Sequence, residues 1–413
     1  MPVNRCAGGG GRVLAICLNP ALDITYEVDL LRRGTTHRVR RVHMRAGGKA
    51  VNVARVLQGL GAPVAVAGFA AGATGQRLAE ELAQAGLETR WVWVEGETRR
   101  CLAVFEQDVA QSTEFNEPGP EISPGAWEEF VRSFAEWVRR DEFAAVVLSG
   151  SLPPGLPGDA YACLIRLARS AGLRTVLDTS GEALRHGLVA APDMIKPNLR
   201  ELEELMAGEL GKGEALMART GRGAVVPGRW RRRAASSEPR VQPEGRPPLP
   251  PEPRPLNGEG TPAAPPSAPP APCDRAADQP LPSVEEILGD AGGVGGASPR
   301  LQEVRRAAEA LQRAGPAAAV ISMGAGGVVA ATPAGTWWAQ GPVVRGNPVG
   351  AGDALVAGLV DGALRGWAWP ECLAHAVAVA AATVTSPVAG RFEADAYASL
   401  RPQVRVVALS PRA

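Results

Sequence analysis

The chain has 413 residues, 45% of them hydrophobic, and its 44 basic and 43 acidic side chains leave a formal net charge of +1. This length accommodates one large domain or two ordinary ones. The charge balance excludes a general electrostatic attraction to nucleic acid or to an anionic membrane, so neither is an expected partner.

Short apolar runs alternate with helical patterns along most of the chain. In chain order, the predicted strands are VLAICL, VAVAGFA, AAVVLSG, RTVLDTS and AAAVISMG. The predicted helices are VNVARVLQGLG, TGQRLAEELAQAG, YACLIRLARSAG, the segment after Lys196, ALVAGLVDGALRG and CLAHAVAVAAATV. This alternation is typical of an α/β domain whose parallel sheet is covered on both faces. The last helix is short and contains His375, which favours a buried helix over a membrane span.

Two regions break this alternation with a period of two. They pair DITYEVD with HRVRRVHMRAGG and RRCLAVFEQD with STEFN, within about residues 22–46 and 90–117. Period-two patterning predicts antiparallel strands in a small second layer. A sheet that stands off the main body in this way could cover a binding site.

A proline-rich region interrupts the second half of the chain. Residues 221–300 hold 18 of the 37 prolines, and such a segment buries too little apolar surface to offset its ordering entropy. We therefore predict a single domain over 11–212 and 299–409, with a disordered insertion at 213–298 in which VEEILGD forms a transient helical turn. The insertion is either a solvated spacer or a proline-motif docking site for a partner.

Cysteine usage and the N-terminus narrow the class of protein further. The six cysteines have no CxxC spacing, which indicates neither a disulfide framework nor a zinc site. The first apolar run is too short for a signal peptide or a membrane span. These patterns predict a cytoplasmic protein.

The segment GNPVGAGD points to phosphate chemistry. In open α/β sheets the ligand lies beyond the carboxyl ends of the strands. Gly350, Ala351 and Gly352 would let backbone N–H groups and a helix N-terminus approach a phosphate group. Asp353 could then take a proton from a substrate hydroxyl while those amides stabilise a transferring phosphoryl group. The alternative is that Asp353 only caps the helix.

Three further segments carry polar groups in suitable places. Lysine occurs three times against 41 arginines, and two of the three lie in GGKAVNVA and KPNLRE. The first segment could present Lys49 and Asn52 to a polyhydroxyl ligand, or could simply pack a glycine loop on a helix. The second places Asn198 and Glu201 on one helical turn, where they could order water around Mg²⁺ or cap the helix. SMGAGG, at 322–327, fits a glycine turn for a nucleotide phosphate.

Together these motifs resemble the PfkB group of ribokinase-like sugar kinases. The match is carried by GGKAVNVARVLQGLG, NEPGP, SGSLPPG, LDTSGEAL, KPNLRELEEL and VGAGD. More narrowly, LNPALD, NEPGP and NPVGAGD resemble the 1-phosphofructokinase and tagatose-6-phosphate kinase branch. The resemblance covers nearly the whole chain outside the insertion and the extreme N-terminus. It implies a ribokinase-like three-layer α/β/α domain with a mostly parallel central sheet and a small antiparallel β lid. It also implies ATP and Mg²⁺ as cofactors, a small sugar phosphate as substrate, and a homodimer formed through the lid.

The resemblance also implies roles for individual residues. Asp353 would be the catalytic base, with an anion hole at Gly350, Ala351 and Gly352. Substrate binding is implied for Asp23, Gly48, Lys49, Asn52, Arg99, Ser149 and Ser151, where the planar fork of Arg99 suits a phosphate. Nucleotide binding is implied for Lys196, Asn198, Ser322, Gly324 and Gly327. Glu201 and Asn198 would position Mg²⁺ indirectly, through water.

The chain departs from the pattern of the family at a few positions. Ala50 replaces a glycine frequent in this branch, and Asn347-Pro348 replaces the Asp-Thr common before GAGD in the wider family. His37 and Arg38 stand where some relatives place a lysine that reaches the neighbouring subunit's substrate.

The expected reaction is phosphorylation of fructose 1-phosphate to fructose 1,6-bisphosphate. Tagatose 6-phosphate and fructose 6-phosphate stay open, because fructofuranose is nearly symmetric between its two hydroxymethyl ends. A non-catalytic sugar-phosphate sensor is a different class of function, which the retained Asp353, GAG loop, Asn198 and Glu201 disfavour. A nucleoside or ribose kinase is disfavoured by Arg99 and NEPGP, which indicate a phosphorylated substrate.

Overall fold

The computed structural model describes residues 11–108, 111–140, 143–207, 299–386, 388 and 390–411. The predicted insertion at 213–298, including VEEILGD, lies outside the described residues, and its disorder stays a prediction. All described residues belong to one compact unit.

The described elements follow the predicted alternation. The strands are β1 (Arg12–Cys17), β2 (Ala21–Val28), β3 (Arg41–Gly47), β4 (Val64–Ala71), β5 (Glu88–Val94), β6 (Arg99–Glu106), β7 (Gln111–Asn116), β8 (Phe143–Ser149), β9 (Arg174–Asp178), β10 (Met194–Ile195), β11 (Ala318–Ser322), β12 (Val328–Thr332), β13 (Gly335–Gln340) and β14 (Arg405–Pro411). The helices are α1 (Lys49–Gly59), α2 (Gly72–Gln84), α3 (Pro124–Arg140), α4 (Ala160–Ser170), α5 (Gly181–Val189), α6 (Leu199–Ala207), α7 (Pro299–Arg313), α8 (Ala351–Leu364), α9 (Trp369–Val384) and α10 (Ala394–Leu400).

The large sheet has the strand order β14-β13-β12-β11-β10-β9-β8-β1-β4-β5. The seven strands from β11 to β5 in this order run parallel, and β12, β13 and β14 add an antiparallel edge. All eight residues of β4 are buried, which is why the central strands read as continuous apolar runs rather than alternating ones. The predicted mostly parallel sheet is confirmed.

Helices pack on both faces of this sheet. Leu14 and Ile16 of β1 belong to one core with residues of helices α3 to α7, whereas α1 packs against β1 and also against α8. On that second face, α8 and α9 are buried along nearly their whole length. Gly358 allows their close approach, because a Cβ there would lie 2.6 Å from Ala376 Cα. The predicted three-layer α/β/α fold and the buried position of α9 are confirmed.

None of the helices in the described part of the chain combines the length and the apolar character needed to cross a bilayer.

A separate four-stranded sheet, the lid, has the order β3-β2-β6-β7. The outer pairs, β2 with β3 and β6 with β7, are antiparallel as predicted, but the central pair β2 and β6 is parallel. This difference has a simple origin. β2 follows β1 and β6 follows β5, so both lid strands start from the carboxyl edge of one parallel sheet and run in the same direction.

Candidate active site

One cavity of about 1250 Å³ lies between the lid and the carboxyl ends of the large sheet. The predicted site residues that line it are Asp23, Gly48, Lys49, Asn52, Arg99, Ser151, Lys196, Asn198, Ser322, Gly324, Gly327, Gly350, Ala351, Gly352 and Asp353. Ser149 and Glu201 lie behind this surface. The fold therefore gathers segments that are up to about 330 residues apart in sequence, as expected for strand ends of one parallel sheet.

Asp353 is in the first turn of α8 and is almost completely buried. Its Oδ2 accepts a hydrogen bond from Asn52 Nδ2, at 2.9 Å. Burial and the nearby Asp178 carboxylate raise the pKa of Asp353 to about 7, although Lys49 and the Asn52 hydrogen bond oppose this shift. A carboxylate poised near neutral pH is suited to general base chemistry.

The glycines before Asp353 shape the helix N-terminus. Gly350 has a φ of 82°, a left-handed conformation that favours glycine, and it precedes the first residue of α8. A Cβ on Gly352 would lie 3.7 Å from Lys196 Nζ, so this backbone directly faces a lysine. The Ala351 N–H donates to the Pro348 carbonyl at 3.1 Å, which leaves the next amides of the turn as the donors for an anion.

Two lysines flank Asp178 beneath the cavity. Lys49 Nζ lies 3.2 Å from Glu201 Oε1 and 3.6 Å from Asp178 Oδ1, and Lys196 Nζ lies 3.2 Å from the same Asp178 oxygen. Burial disfavours the charged form of Lys49, but Asp178 and Glu201 outweigh it and raise the Lys49 pKa. For Asp178 the effect of burial is outweighed by Lys196 and Lys49, which lower its pKa. The network places two lysine side chains next to the α8 N-terminus.

Asn198 and Glu201 form a reciprocal cap at the start of α6. The Asn198 N–H donates to Glu201 Oε2 at 2.9 Å, and the Glu201 N–H donates to Asn198 Oδ1 at 2.8 Å. This is a capping box, with asparagine as the N-cap residue. One carboxylate oxygen of Glu201 thus accepts a hydrogen bond from the Asn198 N–H, and the other accepts one from Lys49 Nζ. The capping alternative from the sequence is observed, and the Mg²⁺ role stays a prediction.

The glycine turn after β11 adopts a close-packed conformation beside the cavity. Gly324 and Gly327 have φ values of 57° and 86°, and a Cβ on Gly327 would lie 2.1 Å from the Ala339 carbonyl oxygen. Trp338 Nε1 and Gln340 Nε2 donate to carbonyls of the turn at 3.0 and 3.1 Å. The turn therefore presents backbone and Ser322 to the cavity, and its role in nucleotide binding stays a prediction.

Asp23 and Arg99 lie at the lid end of the cavity. They occupy adjoining lid strands, where Asp23 pairs with Cys101 and Ala21 with Arg99. Burial raises the pKa of Asp23 to about 6, and Arg99 opposes that shift. Arg99 Nε donates to the Asn19 carbonyl at 3.2 Å.

The two serines predicted to bind substrate have different environments. Ser151 lines the cavity and accepts a hydrogen bond from Asn19 Nδ2. Ser149 is fully buried and donates to Asp178 Oδ2 at 3.3 Å. Ser149 thus contacts the lysine network rather than the open cavity.

The structure adds residues that the sequence reading did not single out. Asp178 ends the buried strand RTVLD, and a charged residue at the carboxyl end of such a strand was the available signal. Asn19 follows β1 in the LNPALD segment and is 4% exposed. Glu114 and Asn116 of β7 line the lid side of the cavity. Every residue of that strand is solvent-exposed, so no burial pattern marked Glu114, whereas Asn116 is the first residue of the NEPGP motif.

Activity is expected to depend on the ionisation of Asp353. The proton must be absent for this carboxylate to act as a base, and its pKa is raised to about 7. We therefore expect kcat/KM for the acceptor to fall as pH drops below about 7, approaching about tenfold per pH unit. Steady-state assays from pH 5 to 9 measure this profile. A kcat/KM that is constant between pH 8 and 5.5 would contradict the assigned base.

Comparison with known proteins identifies the family of the chain. The sequence profile described as pfkB family carbohydrate kinase matches residues 15–224 and 284–395. The chain therefore belongs to the pfkB family of carbohydrate kinases.

Curated relatives match a shorter part of the chain. Two tagatose-6-phosphate kinases from Staphylococcus epidermidis strains are 39% and 38% identical over 196 residues, which is 47% of this chain and 62% of each relative. The aligned part is thus less than two thirds of the relatives' length.

Solved structures share the fold over nearly the whole chain. A possible 1-phosphofructokinase from Thermotoga maritima has a TM-score of 0.69 at 22% identity, covering 97% of this chain and 100% of that one. Phosphofructokinase-2 from Escherichia coli, in complex with potassium, has a TM-score of 0.67 at 20% identity, covering 95% and 98%. At these identities the likeness concerns the fold.

Proposed function

We propose that this protein transfers the γ-phosphoryl group of ATP to a hydroxymethyl group of a ketohexose monophosphate, with fructose 1-phosphate as the expected acceptor. The observation that carries this proposal is the buried Asp353, with a pKa of about 7, at a helix N-terminus in a cavity that also holds Arg99. A base, an anion-binding backbone and a phosphate-binding guanidinium are the groups that this reaction needs.

The chemical step follows from the positions of these residues. Asp353 takes the proton of the acceptor hydroxyl while the oxygen of that hydroxyl forms a bond to the γ-phosphorus of ATP. The bond between the γ-phosphorus and the bridging oxygen breaks, and ADP leaves with that oxygen. Lys196 and the amides at the start of α8 stabilise the negative charge on the transferring group. The lid closes the cavity and excludes water, which would otherwise accept the phosphoryl group.

The donor set fits a metal held through water rather than by direct chelation. Among the described residues, no group of three or more His, Cys, Asp or Glu side chains is placed to hold a metal ion. Glu201 and Asp178 already pair with lysines. Mg²⁺ bound with ATP would supply charge neutralisation for the phosphates, with Asn198 and Glu201 ordering its water ligands.

Tagatose 6-phosphate is the second candidate acceptor. The relatives that are 39% and 38% identical over 196 residues carry the name tagatose-6-phosphate kinase, and this supports the same reaction on an isomeric sugar phosphate. Both candidates present a phosphate at one end and a hydroxymethyl group at the other. The same arrangement of Arg99 and Asp353 therefore serves either.

A substrate panel tests the proposed function. ADP release is measured with Mg²⁺-ATP and fructose 1-phosphate, fructose 6-phosphate, tagatose 6-phosphate, free fructose or ribose. Turnover that is highest with one ketohexose phosphate supports the proposal and names the substrate. Preferred turnover of free ribose would indicate a ribose kinase. If no compound in the panel causes ADP release but calorimetry shows that a sugar phosphate still binds, the protein is a sugar-phosphate sensor.

The lid carries an apolar row suited to a second copy of the chain. Met44, Ile24, Leu102 and Phe115 are direct partners across all four lid strands, so their side chains share one face, opposite to Asp23. Met44 and Phe115 are 46% and 56% exposed. A continuous apolar row on a two-fold related sheet is self-complementary, which supports the proposed homodimer.

Charge on this row is expected to dissociate the dimer. Replacing Met44 and Phe115 together by glutamate would bury four like charges in the interface, so we expect a shift from dimer to monomer in sedimentation experiments at micromolar concentration. Val407→Glu is the control, because Val407 is also 46% exposed but belongs to β14 of the large sheet. A wild-type protein that sediments as a monomer, or a double variant that stays dimeric, would contradict the lid interface.

A further inference from the structure

Asn19 joins three segments around the lid end of the cavity. Its Nδ2 donates to the Pro118 carbonyl at 3.0 Å and to Ser151 Oγ at 3.2 Å. Its own backbone carbonyl accepts a hydrogen bond from Arg99 Nε at 3.2 Å. The residue is buried, and it lies in the loop between β1 and β2, far in sequence from all three partners.

The loop that contains Pro118 is built to close on this side chain. Gly119 has a φ of 97°, and a Cβ there would lie 2.3 Å from Asn19 Oδ1. Any larger residue at Gly119 would push the two segments apart. Arg99 also donates to the Glu117 carbonyl of this loop, at 3.4 Å. The guanidinium of Arg99 is thus held by the backbone of two segments that Asn19 ties together.

Fold stability alone does not account for an asparagine at this position. The Asn19 Oδ1 atom is buried and has no hydrogen-bond partner among the described residues, and burying an unpaired amide oxygen costs free energy. The favourable contacts of the Asn19 side chain are made by its Nδ2 group, which donates to the Pro118 carbonyl and to the Ser151 hydroxyl. Of the two acceptors, Ser151 lines the cavity together with Arg99.

We infer that Asn19 is a positioning residue for acceptor recognition, which holds Arg99, Ser151 and the loop at Pro118 in the arrangement that receives the sugar phosphate. It acts through these groups and not on the reacting atoms. This inference rests on the proposed function. It identifies the part of that function which Asn19 controls, namely affinity for the phosphorylated acceptor rather than the rate of transfer.

Variants of Asn19 should therefore change KM for the acceptor selectively. Asn19→Ala removes both donated hydrogen bonds, and Asn19→Asp keeps the shape but sets an acceptor against the Pro118 carbonyl. For both we expect KM for the sugar phosphate to rise by about five- to fifty-fold, with kcat and KM for ATP changed by less than about threefold. Loss of a purely structural residue would instead lower kcat and raise both KM values together, or would lower only the thermal stability.

Gly119→Ala tests the same contact from the loop. The added Cβ would displace the Asn19 amide, so we expect the same selective rise in acceptor KM. Gly172→Ala is the matched control. Gly172 also has a positive φ, 77°, but a Cβ there meets no atom within 4 Å, so the kinetics of this variant should equal those of the wild type.

A double-mutant cycle with Arg99→Gln decides whether Asn19 acts through Arg99. If it does, Asn19→Ala should raise acceptor KM much less in the Arg99→Gln background than in the wild type. The inference about Asn19 would be overturned if Asn19→Ala raised acceptor KM equally in both backgrounds, or if it left acceptor KM unchanged. In either case, turnover of a sugar phosphate by the wild type would still support the proposed function. A wild-type protein that neither binds nor phosphorylates any sugar phosphate would overturn both.

Discussion

Asp353→Asn is expected to lower kcat by about 10²- to 10⁴-fold, because asparagine cannot accept the proton of the acceptor hydroxyl. KM values for sugar phosphate and ATP should stay close to those of the wild type. The substitution keeps the size of the side chain and the hydrogen-bond acceptor that faces Asn52. Steady-state kinetics with both substrates varied measure the separation of kcat from KM.

The folded state of this variant provides an internal control. The pKa of Asp353 is raised, so the folded protein binds this proton more tightly than the unfolded chain does, and stability is lost as pH rises toward about 7. Removing the charge should leave the variant at least as stable as the wild type in thermal unfolding at pH 8. Loss of activity with unchanged or raised stability identifies a chemical role.

A second control separates the base from a helix cap. Asp395 also lies in the first turn of a helix, α10, outside the cavity lining. Asp395→Asn should leave kcat unchanged. The N-cap residue of α8 is Gly350, and the Asp353 carboxylate accepts from Asn52 rather than from the helix backbone, so the capping alternative is not observed. Near-normal turnover by Asp353→Asn would remove the assignment of Asp353 as the base.

Arg99→Gln is expected to raise KM for the sugar phosphate by about 100-fold, because charge-assisted hydrogen bonds to a phosphate contribute about 1.5–3 kcal/mol each. Arg99→Lys should give an intermediate value, since an ammonium retains the charge but not the planar fork. KM for ATP should change little. Kinetics at saturating ATP with the acceptor varied provide the comparison.

The neighbouring arginine offers a matched control. Arg100 is on the same strand but points to the opposite face, where it pairs with Glu117 at 2.9 Å. Arg100→Gln should keep acceptor KM within about threefold of the wild type, because exposed ion pairs contribute little. If Arg99→Gln leaves acceptor KM unchanged, the phosphate is bound elsewhere and the proposed orientation of the acceptor is wrong.

Much of the fold was predictable because its signals are local. Continuous apolar runs mark strands buried on both faces, and helices between them imply parallel connections. The antiparallel edge formed by β12, β13 and β14 was not predicted, since these strands are short and depend on pairing with one another. The parallel pairing of β2 with β6 also depends on tertiary contact, which period-two patterning in each strand does not specify.

The candidate site was predictable where a motif carries its own geometry. The segment before Asp353 and the turn after β11 require backbone conformations that favour glycine, and the glycines themselves are visible in the sequence. Asp178 and Asn19 act through partners far along the chain, so only the assembled sheet shows what they contact. The assignment of Asn198 and Glu201 as a capping box likewise required the structure, because the same residues at the same spacing also suit Mg²⁺.

Phosphoryl transfer to the sugar and the role of Asp353 are tested together by ³¹P NMR of the protein incubated with Mg²⁺-ATP and the preferred ketohexose phosphate, beside the same reaction with Asp353→Asn. We expect a second phosphomonoester resonance from the acceptor to grow in step with ADP in the wild type, and to be absent over the same time in the variant. A bisphosphate that forms equally fast in both samples would contradict Asp353 as the base. ADP accompanied by free phosphate, with the acceptor unchanged, would contradict transfer to the sugar.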